Sequence, residues 1–125
     1  MARCLVIDDD TEVRVGVVRI LEKHGHDVVE ASNGRQAMAL FEAEAPDLVI
    51  TDINMPEMDG IEVINRLREM KAGVPIVAIS GGGQMPKEIL LSTAGVLGAV
   101  ETVEKPFLMA EFMSAVERAL AGGAT

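Results

Sequence analysis

The stretch Cys4-Leu5-Val6-Ile7-Asp8-Asp9-Asp10 is a short apolar run that ends abruptly on three acids. Three later apolar runs end in the same way, on Asp52, on Ser80 and on Glu104-Lys105. Short apolar runs bounded by polar residues are typical of buried parallel strands. Because ligands of an open parallel sheet bind outside the carboxyl ends of its strands, we expect these polar groups to share one edge.

Strand and helix patterns alternate along the whole chain. Strands are predicted at residues 3–8, 27–31, 47–52, 75–80 and 99–103. Helices are predicted over residues 11–24, from Ser32 or Asn33 to the residue before Pro46, from Asp59-Gly60 to Gly73, from Pro86 to Leu97, and over 108–121. This alternation predicts an α/β fold, a flavodoxin-like three-layer sandwich with a five-stranded parallel sheet of order 2-1-3-4-5 and five helices.

Length, composition and charge restrict the class of protein. A chain of 125 residues that is 49% hydrophobic suits one domain over residues 1–125, with an ordered core at about 2–121. Its apolar runs are far shorter than a membrane span, and Asp8 interrupts any secretory segment. The lone Cys4 is expected to be a small buried hydrophobe. A single cysteine cannot form an internal disulfide, which is compatible with a reducing cytoplasm. A net charge of −9 argues against binding to nucleic acid or to an anionic membrane.

Three carboxylates, those of Asp8, Asp9 and Asp52, are predicted to meet between the first and third strands. Carboxylates in close proximity raise one another's pKa unless a cation neutralises them. Mg²⁺ prefers oxygen ligands and often uses one or two protein carboxylates beside phosphate oxygens. Helix capping is the alternative role for acids at this point, and we assign it to Asp10. Capping does not account for Asp52, so the residues predict a magnesium site.

Lys105 and Ser80 complete the set of polar groups at this edge. An ammonium that follows a buried strand can hold a phosphoryl oxygen as a point charge, although most lysines are ordinary surface residues. Ser80 precedes Gly81-Gly82-Gly83 and offers a hydroxyl group on a loop. A site serine and a turn serine remain equally open interpretations of that residue.

In this order, these residues resemble the receiver domain of bacterial two-component response regulators, in particular a stand-alone receiver of the chemotaxis type. The matching elements are Asp8-Asp9, the stretch Thr-Asp-Ile-Asn-Met-Pro-Glu-Met-Asp-Gly at 51–60, Ser80, and Lys105-Pro106-Phe107. The match covers essentially the whole chain, and the combination of elements is far more specific than any one of them.

The resemblance implies a role for each acid. Asp52 would be the nucleophile that accepts a phosphoryl group from a phosphohistidine, giving an acyl phosphate. Asp9 would bind Mg²⁺ directly, Asp8 through water, and Asn54 through its backbone carbonyl. Phosphoryl transfer requires positioning and charge neutralisation more than covalent help from the protein, and this set of ligands suits that requirement.

The resemblance also implies how the phosphoryl group is held and read. Ser80 and Lys105 would bond phosphoryl oxygens, while Gly60 and Pro106 match structural positions of the family. Many receivers carry Tyr or Phe as a switch where this chain has Thr102, so a large aromatic swing is not expected here. We expect instead that the switch is an ordering of the loop at 81–86 and of the fourth predicted helix when Ser80 engages the phosphoryl group. Equal hydrogen-exchange protection with and without a phosphoryl mimic would exclude this switch.

The function implied by the resemblance is a phosphorylation-dependent signalling switch in the cytoplasm. A sensor histidine kinase or a histidine phosphotransfer protein would be the donor, and a downstream protein of unknown identity would be the target. The chain would be no enzyme beyond self-phosphorylation and autodephosphorylation. Two alternatives remain open: a relay or phosphate-sink receiver, and the receiver part of a longer regulator with an output domain.

Three rival functions fit the sequence less well. A haloacid-dehalogenase-like phosphohydrolase would carry Thr or Val at the position of Glu12 and would need room for a cap domain. A flavodoxin-like cofactor binder would need a hydroxyl- and Gly-rich loop after the first strand and aromatic residues, whereas this chain has acids there and no Trp or Tyr. A degenerate receiver acting as a scaffold would have lost site residues, and none is lost.

Overall fold

The computed structural model describes residues 2–53, 60–70, 73–80, 101–105 and 107–122 of the chain. The elements are β1 (Arg3–Ile7), α1 (Thr11–Lys23), β2 (Asp27–Ala31), α2 (Gly34–Glu44), β3 (Leu48–Asp52), α3 (Gly60–Met70), β4 (Ile76–Ser80), β5 (Glu101–Glu104) and α4 (Met109–Gly122). The predicted helix at 86–97 and the loop at 81–86 lie outside the described residues, which therefore contain four helices. None of these four helices is long and apolar enough to cross a membrane.

The five strands form one parallel sheet in the order β2-β1-β3-β4-β5, as predicted. Ile7 at the end of β1 pairs with Ala31 of β2 on one side and with Thr51 of β3 on the other. Asp52 at the end of β3 pairs with Ile79 of β4. The carboxyl ends of the central strands therefore lie side by side, which is the condition for a shared site at this edge.

Helices cover both faces of the sheet. Strand residues alternate between the faces, so that Cys4 and Val6 pack beneath α1 and α4 while Leu5 and Ile7 pack beneath α2 and α3. The two cores are filled by apolar side chains that are almost entirely buried, each of which contributes about 1.5–3 kcal/mol. These packed layers hold the strand ends in place.

The N-termini of α1 and α2 are capped by side chains of the expected type. Asp10 Oδ1 accepts hydrogen bonds from the backbone N–H groups of Glu12 at 3.0 Å and Val13 at 3.3 Å, which confirms its capping role. Of the two candidates for the second helix, Asn33 is the cap, and its Oδ1 accepts from the N–H of Gln36 at 2.8 Å. Such caps satisfy donors that the helix itself leaves open and contribute about 1 kcal/mol each.

The residues that follow α1 and α2 show why these two helices end where they do. Gly25 follows α1 with φ of +87°, a left-handed conformation that glycine adopts without a steric penalty. Ala45 follows α2 with φ of +46°, directly before Pro46, which disfavours continuation of a helix. Both helices thus end within one residue of where the sequence predicted.

Cys4 is the second residue of β1 and is fully buried, as predicted. Burial raises the pKa of its thiol to about 12, and the carboxylates of Asp47 and Asp27 add to this rise. The thiol is therefore protonated at neutral pH and acts as a packing group rather than a nucleophile.

Candidate functional site

Three charged side chains converge where β1, β3 and β5 end. Asp8 follows β1, Asp52 is the last residue of β3, and Lys105 follows β5. Val6 and Ile50, each two residues before one of these acids, belong to the core beneath α1 and α4. Because side chains alternate along a strand, both acids point toward the same face of the sheet as that core.

Lys105 bridges the two buried acids. Its Nζ lies 3.4 Å from Oδ2 of Asp52 and 3.5 Å from Oδ2 of Asp8. The side chains of Asp8 and Asp52 are only 3% and 8% exposed, whereas that of Lys105 is 21% exposed. One ammonium group therefore serves two carboxylates that are largely withdrawn from water, and the cluster retains an excess of negative charge.

Asp9 adds a third carboxylate to this cluster. One oxygen from each of Asp8, Asp9 and Asp52 lies within 4.8 Å of the others, with Asp9 exposed and the other two buried. An all-oxygen, anionic set of ligands that opens to water on one side suits Mg²⁺, which keeps several waters and takes few protein carboxylates. The residues present therefore fit the predicted ion.

Asp8 is held by both its backbone and its side chain. Its N–H donates to the carbonyl of Ala31 at 3.1 Å, and its Oδ1 accepts from the N–H of Asp10 at 2.9 Å. Burial raises the pKa of Asp8 to about 6, and the Asp52 carboxylate adds to this rise, whereas the Asp10 N–H and the Lys105 ammonium oppose it. The ionised cluster is thus held at a free-energy cost that a bound cation would offset.

Two side chains, those of Arg14 and Thr51, make hydrogen bonds at the site that were not anticipated from the sequence. Arg14 Nη1 donates to the carbonyl oxygen of Asp8 at 2.6 Å, and its Nε donates to Oε1 of Glu30 at 3.1 Å. The buried hydroxyl of Thr51 donates to the carbonyl oxygen of Asp52 at 3.0 Å. A cation near the start of a helix is unfavourable because it opposes the helix macrodipole. Such a position indicates that the side chain has a partner outside the helix, and this signal could have identified Arg14.

The remaining predicted site residues are Asn54, Ser80, Gly60, Thr102 and Pro106. Asn54 and Pro106 lie outside the described residues. Ser80 is the last residue of β4, at the same edge of the sheet as Asp52, and Gly60 is the first residue of α3. Thr102 is exposed on β5 and lines a separate polar cleft of about 360 Å³ between that strand and α4.

An apolar groove of about 520 Å³ begins at Lys105 and extends along α1. It is lined by Glu12, Val13, Gly16, Val17, Ile20, Lys105 and Phe107. The aromatic ring of Phe107 stacks on that of Phe112, with 5.4 Å between the ring centroids, which anchors this wall of the groove to the core. The site therefore lies beside a surface with apolar character rather than on a uniformly charged one.

Comparison with known proteins identifies the family of this chain. Residues 4–117 match the family model of the response regulator receiver domain. The chemotaxis protein CheY of Bacillus subtilis is 37% identical over 119 residues, which are 94% of this chain and 97% of that protein. Sporulation initiation phosphotransferase F of the same organism is 30% identical over 118 residues, 94% of this chain and 93% of that protein.

A solved structure resembles the fold closely. The crystal structure of NtrX from Brucella abortus superposes with a TM-score of 0.92 at 31% sequence identity. It matches 98% of this chain, which spans only 28% of the NtrX chain. The resemblance predicted from Asp8-Asp9, Asp52 and Lys105 is thereby confirmed. This chain belongs to the response regulator receiver domain family.

Proposed function

We propose that this chain is a phosphorylation-dependent switch in which the Asp52 carboxylate accepts a phosphoryl group in the presence of Mg²⁺. The observation that carries the proposal is the placement of Lys105 Nζ within 3.5 Å of both Asp52 and Asp8, beside the exposed carboxylate of Asp9. A sensor histidine kinase or a histidine phosphotransfer protein is the proposed donor, and a partner protein receives the phosphorylated state.

The proposed step is a transfer from a phosphohistidine. An oxygen of the Asp52 carboxylate forms a bond to phosphorus while the phosphorus–nitrogen bond of the donor breaks, and the electron pair leaves with the imidazole nitrogen. Such a step depends on positioning and on neutralising the charge of the phosphoryl oxygens. In this proposal Lys105, whose Nζ lies 3.4 Å from Asp52 Oδ2, would hold one of these oxygens, and bound Mg²⁺ would supply the remaining positive charge.

The proposed ligand roles are those that the family resemblance implies, and burial and hydrogen bonding are compatible with them. Asp9 is exposed and is assigned direct contact with Mg²⁺. Asp8 is assigned contact through water, because one of its oxygens already accepts a backbone N–H and the other lies near Lys105. The backbone carbonyl of Asn54 and the hydroxyl of Ser80 are assigned to Mg²⁺ and to a phosphoryl oxygen on the family pattern.

The donor, the location and the wider role of the switch are also proposals. The apolar groove beside Lys105 favours a protein rather than a small molecule as the physiological donor of the phosphoryl group. We place the reaction in the cytoplasm. No chemistry beyond phosphorylation and dephosphorylation of the chain itself is proposed. A relay role is the alternative, supported by the likeness to a protein named as a phosphotransferase. A receiver within a longer regulator is a further alternative, supported by the likeness to part of NtrX.

Intact-protein mass spectrometry after incubation with Mg²⁺ and acetyl phosphate tests the proposal. The wild-type protein should gain the mass of one phosphoryl group, and the Asp52→Asn variant should gain none. Asp47→Asn is the matched control, because it removes an exposed carboxylate just before the start of the same strand and should be modified like the wild type. An adduct that persists in Asp52→Asn, or in the presence of a chelator, would contradict the proposal.

A further inference from the structure

Arg14 connects the acidic turn after β1 to the edge strand of the sheet. Its guanidinium donates through Nη1 to the carbonyl oxygen of Asp8 at 2.6 Å and through Nε to Oε1 of Glu30 on β2 at 3.1 Å. The Arg14 side chain is 14% exposed although Glu30 is 44% exposed. A long cationic side chain is thus held largely out of water, with hydrogen bonds at two of its nitrogens.

The atom that Arg14 binds belongs to the peptide bond that joins Asp8 to Asp9. The pairing of β1 with both neighbouring strands ends at Ile7, so this carbonyl lies beyond the last paired residue. A peptide unit is planar, and holding its oxygen therefore restricts the direction in which the chain enters Asp9. The hydrogen bond from Arg14 thereby acts on the backbone from which the exposed carboxylate projects.

Other contacts hold the flanking parts of the same turn. The Asp10 N–H donates to Oδ1 of Asp8, the Asp10 carbonyl accepts from the N–H of Arg14 at 2.9 Å, and the Asp10 side chain caps α1. Asp9 is thus flanked on both sides by residues whose backbone and side chains are bonded. The guanidinium also places a permanent positive charge beside three consecutive acids.

From these contacts we propose that Arg14, oriented by Glu30, is a positioning residue that sets the Mg²⁺ affinity of the Asp8–Asp9 turn. The proposal rests on the proposed function, since it takes the acidic cluster as the magnesium site. It requires the two-point geometry of arginine, because the single ammonium of a lysine cannot reproduce both planar hydrogen bonds. Residues that orient a metal ligand without touching the metal commonly change metal affinity by about 10–100-fold.

The structure provides a matched control at the opposite edge of the sheet. Arg118 of α4 donates through Nε to Oε1 of Glu101 on β5 at 3.0 Å, which is the same kind of contact from a helix to an edge strand. Arg118 is 60% exposed and lines the polar cleft beside Thr102 rather than the acidic turn. Its substitution changes the net charge as substitution of Arg14 does.

Isothermal titration calorimetry with Mg²⁺ alone as the ligand tests the proposal. We expect Arg14→Gln to raise the Kd about tenfold, Arg14→Lys and Glu30→Gln to raise it by smaller factors, and Arg118→Gln to leave it unchanged. Thermal unfolding shows whether each variant is folded. In metal-free protein, the amide hydrogens of Asp9 and Asp10 should exchange faster in Arg14→Gln but not in Arg118→Gln.

The possible outcomes separate this inference from the proposed function. If the wild-type protein does not bind Mg²⁺, the magnesium site of the proposed function fails and this inference fails with it. If the wild type binds but Arg14→Gln binds equally well, or Arg118→Gln is weakened to the same extent, this inference alone is overturned. Full affinity in Arg14→Lys would show that the two hydrogen bonds of the guanidinium are not required and would also overturn positioning. Should Arg14→Gln fail to fold, Arg14→Lys and Glu30→Gln decide the question.

Discussion

Acidic residues lie at both ends of the parallel sheet, but the two ends hold them in different ways. At the carboxyl end, Asp8 and Asp52 are buried and share the ammonium of Lys105. At the amino end, Asp27 and Asp47 are exposed to water, and Oδ2 of Asp47 accepts the backbone N–H of Arg3 at 2.9 Å. The same residue types thus form a buried cluster that shares one cation at one end of the sheet and a solvent-exposed set at the other.

The difference shows that burial, rather than acidic composition, makes the candidate site. A carboxylate in water is well solvated and gains little from a nearby cation, whereas a buried carboxylate depends on its partners. Among the residues that the structure describes, only the carboxyl end places one cation between two buried acids at the switch point of the sheet. The two ends therefore make matched sites for testing what each charge contributes.

The largest expected effect on stability comes from removing the cation that the two buried acids share at the carboxyl end of the sheet. Lys105→Met should lower the free energy of unfolding by about 3 kcal/mol in metal-free buffer at pH 7, because it leaves two buried carboxylates without their shared partner. Arg3→Met removes an exposed pair with Glu44 and should change stability by less than about 1 kcal/mol. Urea unfolding followed by circular dichroism measures both. Equal losses would show that the buried acids do not depend on Lys105.

A smaller effect is expected in the pH dependence of stability. The pKa of Asp8 in the folded chain, about 6, lies above the ordinary value of 3.8, chiefly because the carboxyl group is buried. The folded state therefore keeps this proton to a higher pH than the unfolded state does. The stability that the proton contributes is complete below pH 3.8 and is lost as the pH rises through about 6.

Comparison of Asp8→Asn with the wild type isolates this contribution. Between pH 4 and 7 the metal-free wild type should lose about 2 kcal/mol more stability than Asp8→Asn, whose side chain does not titrate. Asp47→Asn, at the other end of the sheet, should follow the wild-type profile. Urea unfolding at a series of pH values gives the three curves. Parallel curves for the wild type and Asp8→Asn would refute the prediction.

The smallest effect concerns the acid proposed as the nucleophile. Asp52→Asn should raise the free energy of unfolding in metal-free buffer by about 1 kcal/mol, since it relieves repulsion and leaves Lys105 paired with Asp8. Thermal unfolding should then shift upward by about 4 °C. Asp47→Asn should change stability by less than about 0.5 kcal/mol. Unchanged or lower stability in Asp52→Asn would mean that Lys105 already neutralises the cluster.

Local sequence signals predicted most of the described fold. The apolar run before Asp52 became β3, Asp10 and Asn33 became helix caps, and Gly25 followed the end of α1. These signals were reliable because strand burial, capping and left-handed glycine depend on residues within one or two turns of each other. The order of the strands was taken as the flavodoxin-like order of a five-stranded doubly wound sheet and was also predicted correctly.

The relation among the site side chains was harder to predict. The sequence predicted that Asp8, Asp9 and Asp52 meet, but it did not indicate that Asp8 is buried and Asp9 exposed. The alternation of β1 continues one residue beyond the strand and turns Asp8 toward the core. Arg14 was overlooked because its two acceptors lie 6 and 16 residues away and on different elements.

The sequence by itself predicted the elements found among the described residues, their order in the sheet, and the identity of the acids and the lysine at its carboxyl edge. Those features follow from periodicity, caps and topology, which are local properties or general rules. Only the tertiary structure decided that Lys105, 53 residues from Asp52, lies 3.4 Å from it, and that Arg14 holds the peptide between Asp8 and Asp9. Such distances depend on strand register and on how packed helices orient each side chain, and both are settled only when the whole core is assembled.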